Sequence, residues 1–189
     1  MVTVVEQAIA TLADAGARVE PGLTAAELAD VEARWGVRFC ADHAEFLSLG
    51  VPVGSGWIDW RNDRGAVLEV RLSRPVEGLL FDVEYNEFWP ASWGTRPADP
   101  TSAQEDARER LASWPRLLPL YGHRYLPAAP FATPAPVLSV VQSDVIFYGS
   151  DLLEWVRREF LGVALPAASG RPEVGAWSRL AEGCLDCDL

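Results

Sequence analysis

Beyond Pro115 the chain breaks into four short apolar runs: Leu117–Tyr121, Tyr125–Leu126, Val137–Val141 and Val145–Tyr148. Pro, Gly, Ser or Asp separates each from the next. Short runs of Val, Leu, Ile and Tyr between turn formers read as strands. The gaps between them decide the topology. A parallel crossover needs about a dozen residues or more, usually a helix, so these connections force antiparallel pairing. Gln142-Ser143-Asp144 is a hairpin connection. Helical patterns precede the runs and one follows. Helices, then strands in sequence, then a closing helix is an α+β pattern. The expectation is a mostly antiparallel sheet of about four to six strands flanked by helices.

Upstream, Val5, Ile9 and Leu12 recur at helical spacing, which predicts a helix over residues 3–16 that stops at Gly16. Pro21-Gly22 is a turn. Thr24-Ala25-Ala26-Glu27 is a capping box opening a second helix with Leu28, Val31 and Trp35 as its stripe and Gly36 as its stop. A short helix from about Asp42 turns Phe46 and Leu49 inward and closes at Gly50. Residues 50–56 read as a loop and Trp57-Ile58-Asp59-Trp60 as a short strand. Residues 64–73 read as a helix ending before Pro75, and Gly78–Tyr85 fits helix or strand. After an irregular stretch from Pro90 to Pro100, Thr101 or Ser102 caps a helix to about Trp114, with Ala103, Ala107 and Leu111 on one face. Ser150 caps the last helix, whose stripe is Leu152, Val156 and Phe160. Residues 1–161 thus form one domain. Residues 162–189, rich in Ala, Pro and Gly, form a loosely packed tail in which Trp177 and Leu180 dock back.

Charge narrows the partners. The chain carries 16 cations, all Arg, against 27 acids, a net charge of −11. Binding a nucleic-acid backbone needs clustered cations, so no nucleic acid is expected. An acidic surface instead steers association with a basic protein. No apolar run reaches the ~20 residues of a membrane span. The start, Met1-Val2-Thr3-Val4-Val5-Glu6-Gln7, lacks the basic and long apolar regions of a signal peptide. No membrane partner and a cytoplasmic location are therefore expected. Three cysteines in such a chain read as reduced thiols.

Few groups carry chemistry. His123-Arg124 sits in an apolar, proline-punctuated run. On a cleft wall, His123 would exchange a proton and Arg124 would hold a carboxylate, as in a small-molecule-binding or hydrolytic enzyme. The alternative is a structural polar pair, with His123 bonded to backbone at a strand break and Arg124 paired with a carboxylate such as Asp144 or Asp82. The structural role is preferred, because no second catalytic group lies nearby in sequence. Cys40 and His43, with Cys184 and Cys187, would supply four zinc-type ligands. The two pairs are far apart, and neither metal nor any other cofactor is expected. Cys40 with His43 is also the only thiol–imidazole pair at helical spacing, though such a cysteine is more often an inert apolar residue. No nucleophile elbow, Walker loop or dinucleotide-binding glycine pattern is present. Asp59, Trp60, Asp82, Glu84, Trp89 and Trp93 form an acidic, aromatic neighbourhood in sequence, the mixture a protein-binding face uses.

One ordered set of segments resembles a known family. It runs Gly22-Leu23-Thr24 with Glu27, Trp35-Gly36-Val37-Arg38-Phe39, Trp57 through Arg61, and Phe88-Trp89 with Trp93-Gly94-Thr95-Arg96-Pro97. It continues with Leu117 through Pro127, Val140 through Gly149, and Glu159-Phe160. Over about residues 20–161 this order resembles the SUKH superfamily, which includes the yeast cell-wall glucan-synthesis regulator. The resemblance implies helices around a mostly antiparallel sheet. It also implies a non-enzymatic protein-binding role, since many bacterial members are immunity proteins that neutralise a toxin and the yeast members are regulatory modules. It carries no catalytic motif. Cys40 departs from it, where related chains often have Pro, and the Cys-x-x-Cys tail lies outside it. The expected partner is a protein, such as a basic toxin domain, with the alternative of a regulatory or scaffold module that has no toxin partner.

Overall fold

The four apolar runs form a four-stranded antiparallel sheet hydrogen-bonded in sequence order, and the fold is α+β. The computed structural model describes residues 2–63, 65–164, 172–183 and 185. In chain order the elements are α1 (Val4–Asp14), β1 (Val19–Pro21), α2 (Ala25–Trp35), α3 (Ala41–Leu49), β2 (Gly50–Pro52) and α4 (Ala66–Tyr85). A 3-10 turn at Ala91–Trp93 leads to α5 (Pro100–Leu111). Then come β3 (Leu117–Tyr121), β4 (Arg124–Pro127), β5 (Val137–Val141), β6 (Asp144–Gly149), α6 (Leu152–Leu161) and α7 (Ala176–Ala181). Among the described residues, no helix is long and apolar enough to cross a membrane.

Strands β3, β4 and most of β5 are buried on both faces, which explains why they read as continuous apolar runs, while the edge strand β6 alternates, with Ile146 40% exposed. Leu118 opposite Leu126 lies on one face; Tyr125 opposite Leu138, Leu138 opposite Phe147 and Val140 opposite Val145 lie on the other. The first face joins a core with Val5 and Leu12 of α1, Val31 of α2, Phe46 of α3 and Trp155 of α6. The second joins a core with Leu79 and Val83 of α4, Ala107 and Leu111 of α5, and Trp177 of α7. Helix α4 contributes to both, through Leu68 in the first and Leu79, Leu80 and Val83 in the second.

Pro75 does not end α4. The helix runs 20 residues through it, taking in Gly78–Tyr85 as helix. Proline lacks the N–H that would bond the carbonyl four residues back. Here Tyr125 Oη of β4 donates to that carbonyl, of Arg71, at 3.3 Å. Burial of Leu79, Leu80 and Val83 supplies the drive to continue. Gly78 fits against the β5–β6 turn, where an added Cβ would lie 3.0 Å from Gln142 Cα.

Several local expectations give way to tertiary contacts. Gly50–Pro52, expected as loop, pairs antiparallel with β1. These strands are three residues each, too short to leave a periodic signal. Gly22 lies so close to α3 that a Cβ would meet the Ser48 carbonyl oxygen at 1.8 Å. Trp57–Trp60 is not a strand; only Trp57 bridges to Tyr121, and the chain then turns. Leu49 is 42% exposed while Leu47 takes the inner position beside Phe46. The caps of α5 and α6 are Asp99 and Asp151, whose carboxylates accept from Ser102 N and Glu154 N. Aspartate caps as well as serine, and Pro100 suits the first turn of α5. Ser150 lies one position outside, with its N–H donating to Glu154. Within the tail, α7 seats Trp177, 1% exposed, whose Nε1 donates to the Pro115 carbonyl at 2.7 Å; Leu180 packs against the same core.

Tyr125→Phe should cost about 1 kcal/mol, the net worth of one buried hydrogen bond, by leaving the Arg71 carbonyl without its donor. Urea denaturation of the two proteins measures it. An unchanged midpoint would show that α4 tolerates Pro75 without this bond.

Candidate functional site

Trp89 and Trp93 touch, but the six residues of the acidic, aromatic neighbourhood do not form one exposed face. Trp60 is 1% exposed and belongs to the first core, its ring edge-on to Phe39 at 4.9 Å. Trp93 belongs to the second core, packed edge-on with Phe88, Trp89 and Trp114. Large aromatic surfaces stabilise a core more than they serve a wet surface. Asp82 is 2% exposed: Oδ2 accepts from Ser143 N at 2.8 Å and Oδ1 from Asn86 Nδ2 at 2.6 Å. It ties the β5–β6 turn to α4. Asp59 and Glu84 are exposed, and Trp89 is half-buried with Nε1 donating to the Gly94 carbonyl. Asp59 bonds Asn62 within its own turn. A buried tryptophan has no contact area to offer a partner, so Trp60 and Trp93 hold cores rather than a face.

The exposed aromatic surface lies instead on the outer side of α4. Val67, Val70, Phe81 and Tyr85 are 69%, 59%, 45% and 63% exposed. With Arg74 their spacing places them on one side of the helix, opposite Leu68, Leu79 and Val83. The Phe81 and Tyr85 rings lie 4.6 Å apart. A hydrogen bond to Glu84 and its charge raise the Tyr85 phenol above its usual range. Sequence reasoning missed this stripe because it ended the helix at Pro75. Once Gly78–Tyr85 is helical, Phe81 and Tyr85 fall four apart on the face opposite the core.

His123 and Arg124 part company. Arg124 is 6% exposed. Its Nε donates to Glu159 Oε2 of α6 at 2.7 Å and Nη1 to Ser139 Oγ at 2.9 Å. Its guanidinium lies 3.6 Å from the centre of the Tyr148 ring, over which Arg158 also lies, at 4.1 Å. The carboxylate is neither Asp144 nor Asp82, because Arg124 pairs with Ser139 across the strands and so faces α6. The His123 side chain is exposed in the β3–β4 turn, and its carbonyl accepts from Val140 N at 2.9 Å. Partial burial, then the Arg124 charge, lowers the imidazole pKa. One side chain is inside and its neighbour outside, so they do not converge on one cleft.

Cys40 and His43 are both in the first core region. Cys40 is 1% exposed, and burial pushes its thiol up to about 11. His43 is fully buried, neither ring nitrogen has a hydrogen-bond partner, and burial pushes it down to about 3. It packs against Phe39 at 4.8 Å and Trp60 at 5.9 Å. Thiol and imidazole are thus both neutral at pH 7, the reverse of an activated thiolate–imidazolium pair. Cys184 and Cys187 lie outside the described residues. Among the described residues no group of three or more His, Cys, Asp and Glu is placed to hold a metal ion.

Comparison with protein-family models, with curated proteins and with solved structures finds no match to this chain.

His43 makes stability depend on pH. Its folded pKa lies below the unfolded value, so the unfolded state binds the extra proton as pH falls below about 6.5. Stability is lost through that window until the folded form also protonates, near 3. Between pH 7 and about pH 5 the loss from this group is about 2 kcal/mol. His43→Phe should remove that share, giving a shallower fall in urea-unfolding free energy than the parent shows. Parallel curves for the two proteins would mean that His43 does not carry it.

Proposed function

We propose that this chain is a non-enzymatic, protein-binding protein of the immunity type, which neutralises a bacterial toxin by covering it. The outer stripe of α4 carries the proposal: two apolar side chains and two aromatic rings in contact on one rigid helix of about 30 Å. Exposed aromatic surface on a stable element is what partner proteins bury. Full burial of such a side chain is worth about 1.5–3 kcal/mol, so burying the 45% of Phe81 and 63% of Tyr85 still exposed contributes about 1–2 kcal/mol each. The net charge of −11 selects a basic partner by raising its encounter rate. The SUKH-like order of segments adds the biological class, and the helices around an antiparallel sheet agree with it. Arg124, held by Glu159, Ser139 and Tyr148, acts as a structural residue in this proposal.

The test is capture of a basic toxin domain encoded beside this chain. The two proteins should co-purify at low salt, with an association rate that falls as salt rises. Phe81→Ala combined with Tyr85→Ala should weaken the complex at least about tenfold while leaving the melting temperature nearly unchanged, since both rings are exposed. A complex indifferent to both substitutions would move the interface elsewhere. Failure to bind any basic partner would remove the immunity role.

A further inference from the structure

Near its middle the outer stripe of α4 carries charge. At 1.5 Å per residue, Arg74 lies about 6 Å along the axis beyond Val70 and about 10 Å before Phe81. Its side chain is exposed. Arg71, one turn earlier, is half-buried, and its Nη1 donates to the Gly122 carbonyl of the β3–β4 turn. That bond brings the next residue of the turn, His123, beside the two arginines. Partial burial lowers the His123 imidazole pKa most; the Arg124 charge, and after it those of Arg74 and Arg71, lower it further against the opposing charge of Glu159.

Within the fold these two guanidinium groups are not neutralised. Among the described residues, the ion pairs use neither Arg71 nor Arg74. Glu77, three residues after Arg74 on the same helix, is bonded to Arg108 of α5 at 2.9 Å. Glu159, the carboxylate whose charge reaches His123, is bonded to Arg124 at 2.7 Å. Gly78 puts no side chain between Arg74 and Phe81, so the guanidinium and the ring face solvent side by side.

A hydrated arginine costs nothing while the stripe is bare. Covering Val70 and Phe81 on either side takes Arg74 out of water, and a desolvated charge without a counter-charge is heavily penalised. A partner's cation at that place adds repulsion. The rest of the chain acts in the opposite sense. A net charge of −11 attracts any basic surface and does not tell one basic protein from another. Discrimination needs an element that penalises the wrong partner, and a cation in the middle of an apolar stripe on an acidic chain is such an element.

We propose, on the reading of the α4 stripe as the binding face, that Arg74, backed by Arg71 and His123, determines its specificity. The partner is a protein surface that presents one carboxylate between two apolar anchors. The carboxylate meets Arg74, while the anchors cover Val67 and Val70 on one side and Phe81 and Tyr85 on the other. A basic surface without that acid is attracted to the chain and not retained.

The experiment is an NMR titration of the isotope-labelled full chain at low salt with two acetylated and amidated amphipathic peptides. Both carry leucines at helical spacing on either side of one central residue, which is Glu in one and Lys in the other. The amides of Val70, Arg74, Phe81 and Tyr85 should shift with the Glu peptide, which should bind at least about tenfold tighter than the Lys peptide. Arg74→Gln should shrink that preference and Arg74→Glu should reverse it. Arg74 is exposed and outside every ion pair, so both variants should keep the parent melting temperature, and a changed preference then reports charge rather than fold. Equal binding of the two peptides, or a preference for Glu that survives Arg74→Glu, would overturn the inference and leave the stripe as a binding face. No shift with either peptide, or binding undiminished by Phe81→Ala combined with Tyr85→Ala, would overturn it together with the stripe.

Discussion

A four-stranded sheet, buried on both faces along β3, β4 and most of β5, governs the rest of the molecule. Each face must be covered, so helices are needed on both sides, and the chain supplies them from both ends. Helices α1, α2, α3 and α6 bring Val5, Val31, Phe46 and Trp155 to one face. Helices α4, α5 and α7 bring Leu79, Leu111 and Trp177 to the other. Each buried large apolar side chain contributes about 1.5–3 kcal/mol of transfer free energy. Half of the eight tryptophans are buried by this demand. Trp60, Trp93, Trp155 and Trp177 are all at most 8% exposed.

Double burial also dictates how polar groups inside are treated. Arg124 faces α6 from the sheet, and it is tolerated because Glu159, Ser139 and Tyr148 surround it. Such a pair adds little net stability over apolar residues of similar size, but removing one partner alone costs several kcal/mol. The partners of Arg124 are ones that this strand register brings together, Ser139 opposite it and Glu159 of α6. Asp82 is satisfied likewise on the other face by accepting from the turn amide of Ser143. His43 is an exception, as are the Nε1 atoms of Trp35 and Trp155. Without partners, His43 remains buried by staying neutral among Phe39 and Trp60.

Much of this was legible because it is local. The antiparallel sheet followed from connections too short for crossovers, and the α2 capping box from Thr24 and Glu27, whose reciprocal bonds are formed. What was illegible depends on contacts between distant residues. Pro75 stops a helix by local rules, and nothing near it in sequence reveals that Tyr125 will bond the stranded carbonyl of Arg71. The same holds for β1 and β2, which exist only because residues 29 to 33 positions apart pair. The site reading failed for a related reason. Tryptophan's large apolar surface serves interfaces and cores alike, and only the path of the chain separates Trp60 from a partner.

The continuity of α4 across Pro75 links fold to function. Had the helix stopped there, Phe81 and Tyr85 would sit on a separate segment, free to move relative to Val67 and Val70. Instead one helix anchors its inner side in both cores, through Leu68 in the first and Leu79 and Val83 in the second. The β5–β6 turn is tied to it by Asp82 and packed against Gly78. The outer stripe is therefore held in place before any partner arrives. Association loses affinity to the ordering of mobile surface, so a preorganised stripe retains more of the free energy its apolar area can give. Its exposure is the cost. Large apolar patches promote nonspecific association, and a net charge of −11 opposes self-association. Under the proposed function, the acidity that would steer a basic partner toward the chain also keeps copies of the chain apart.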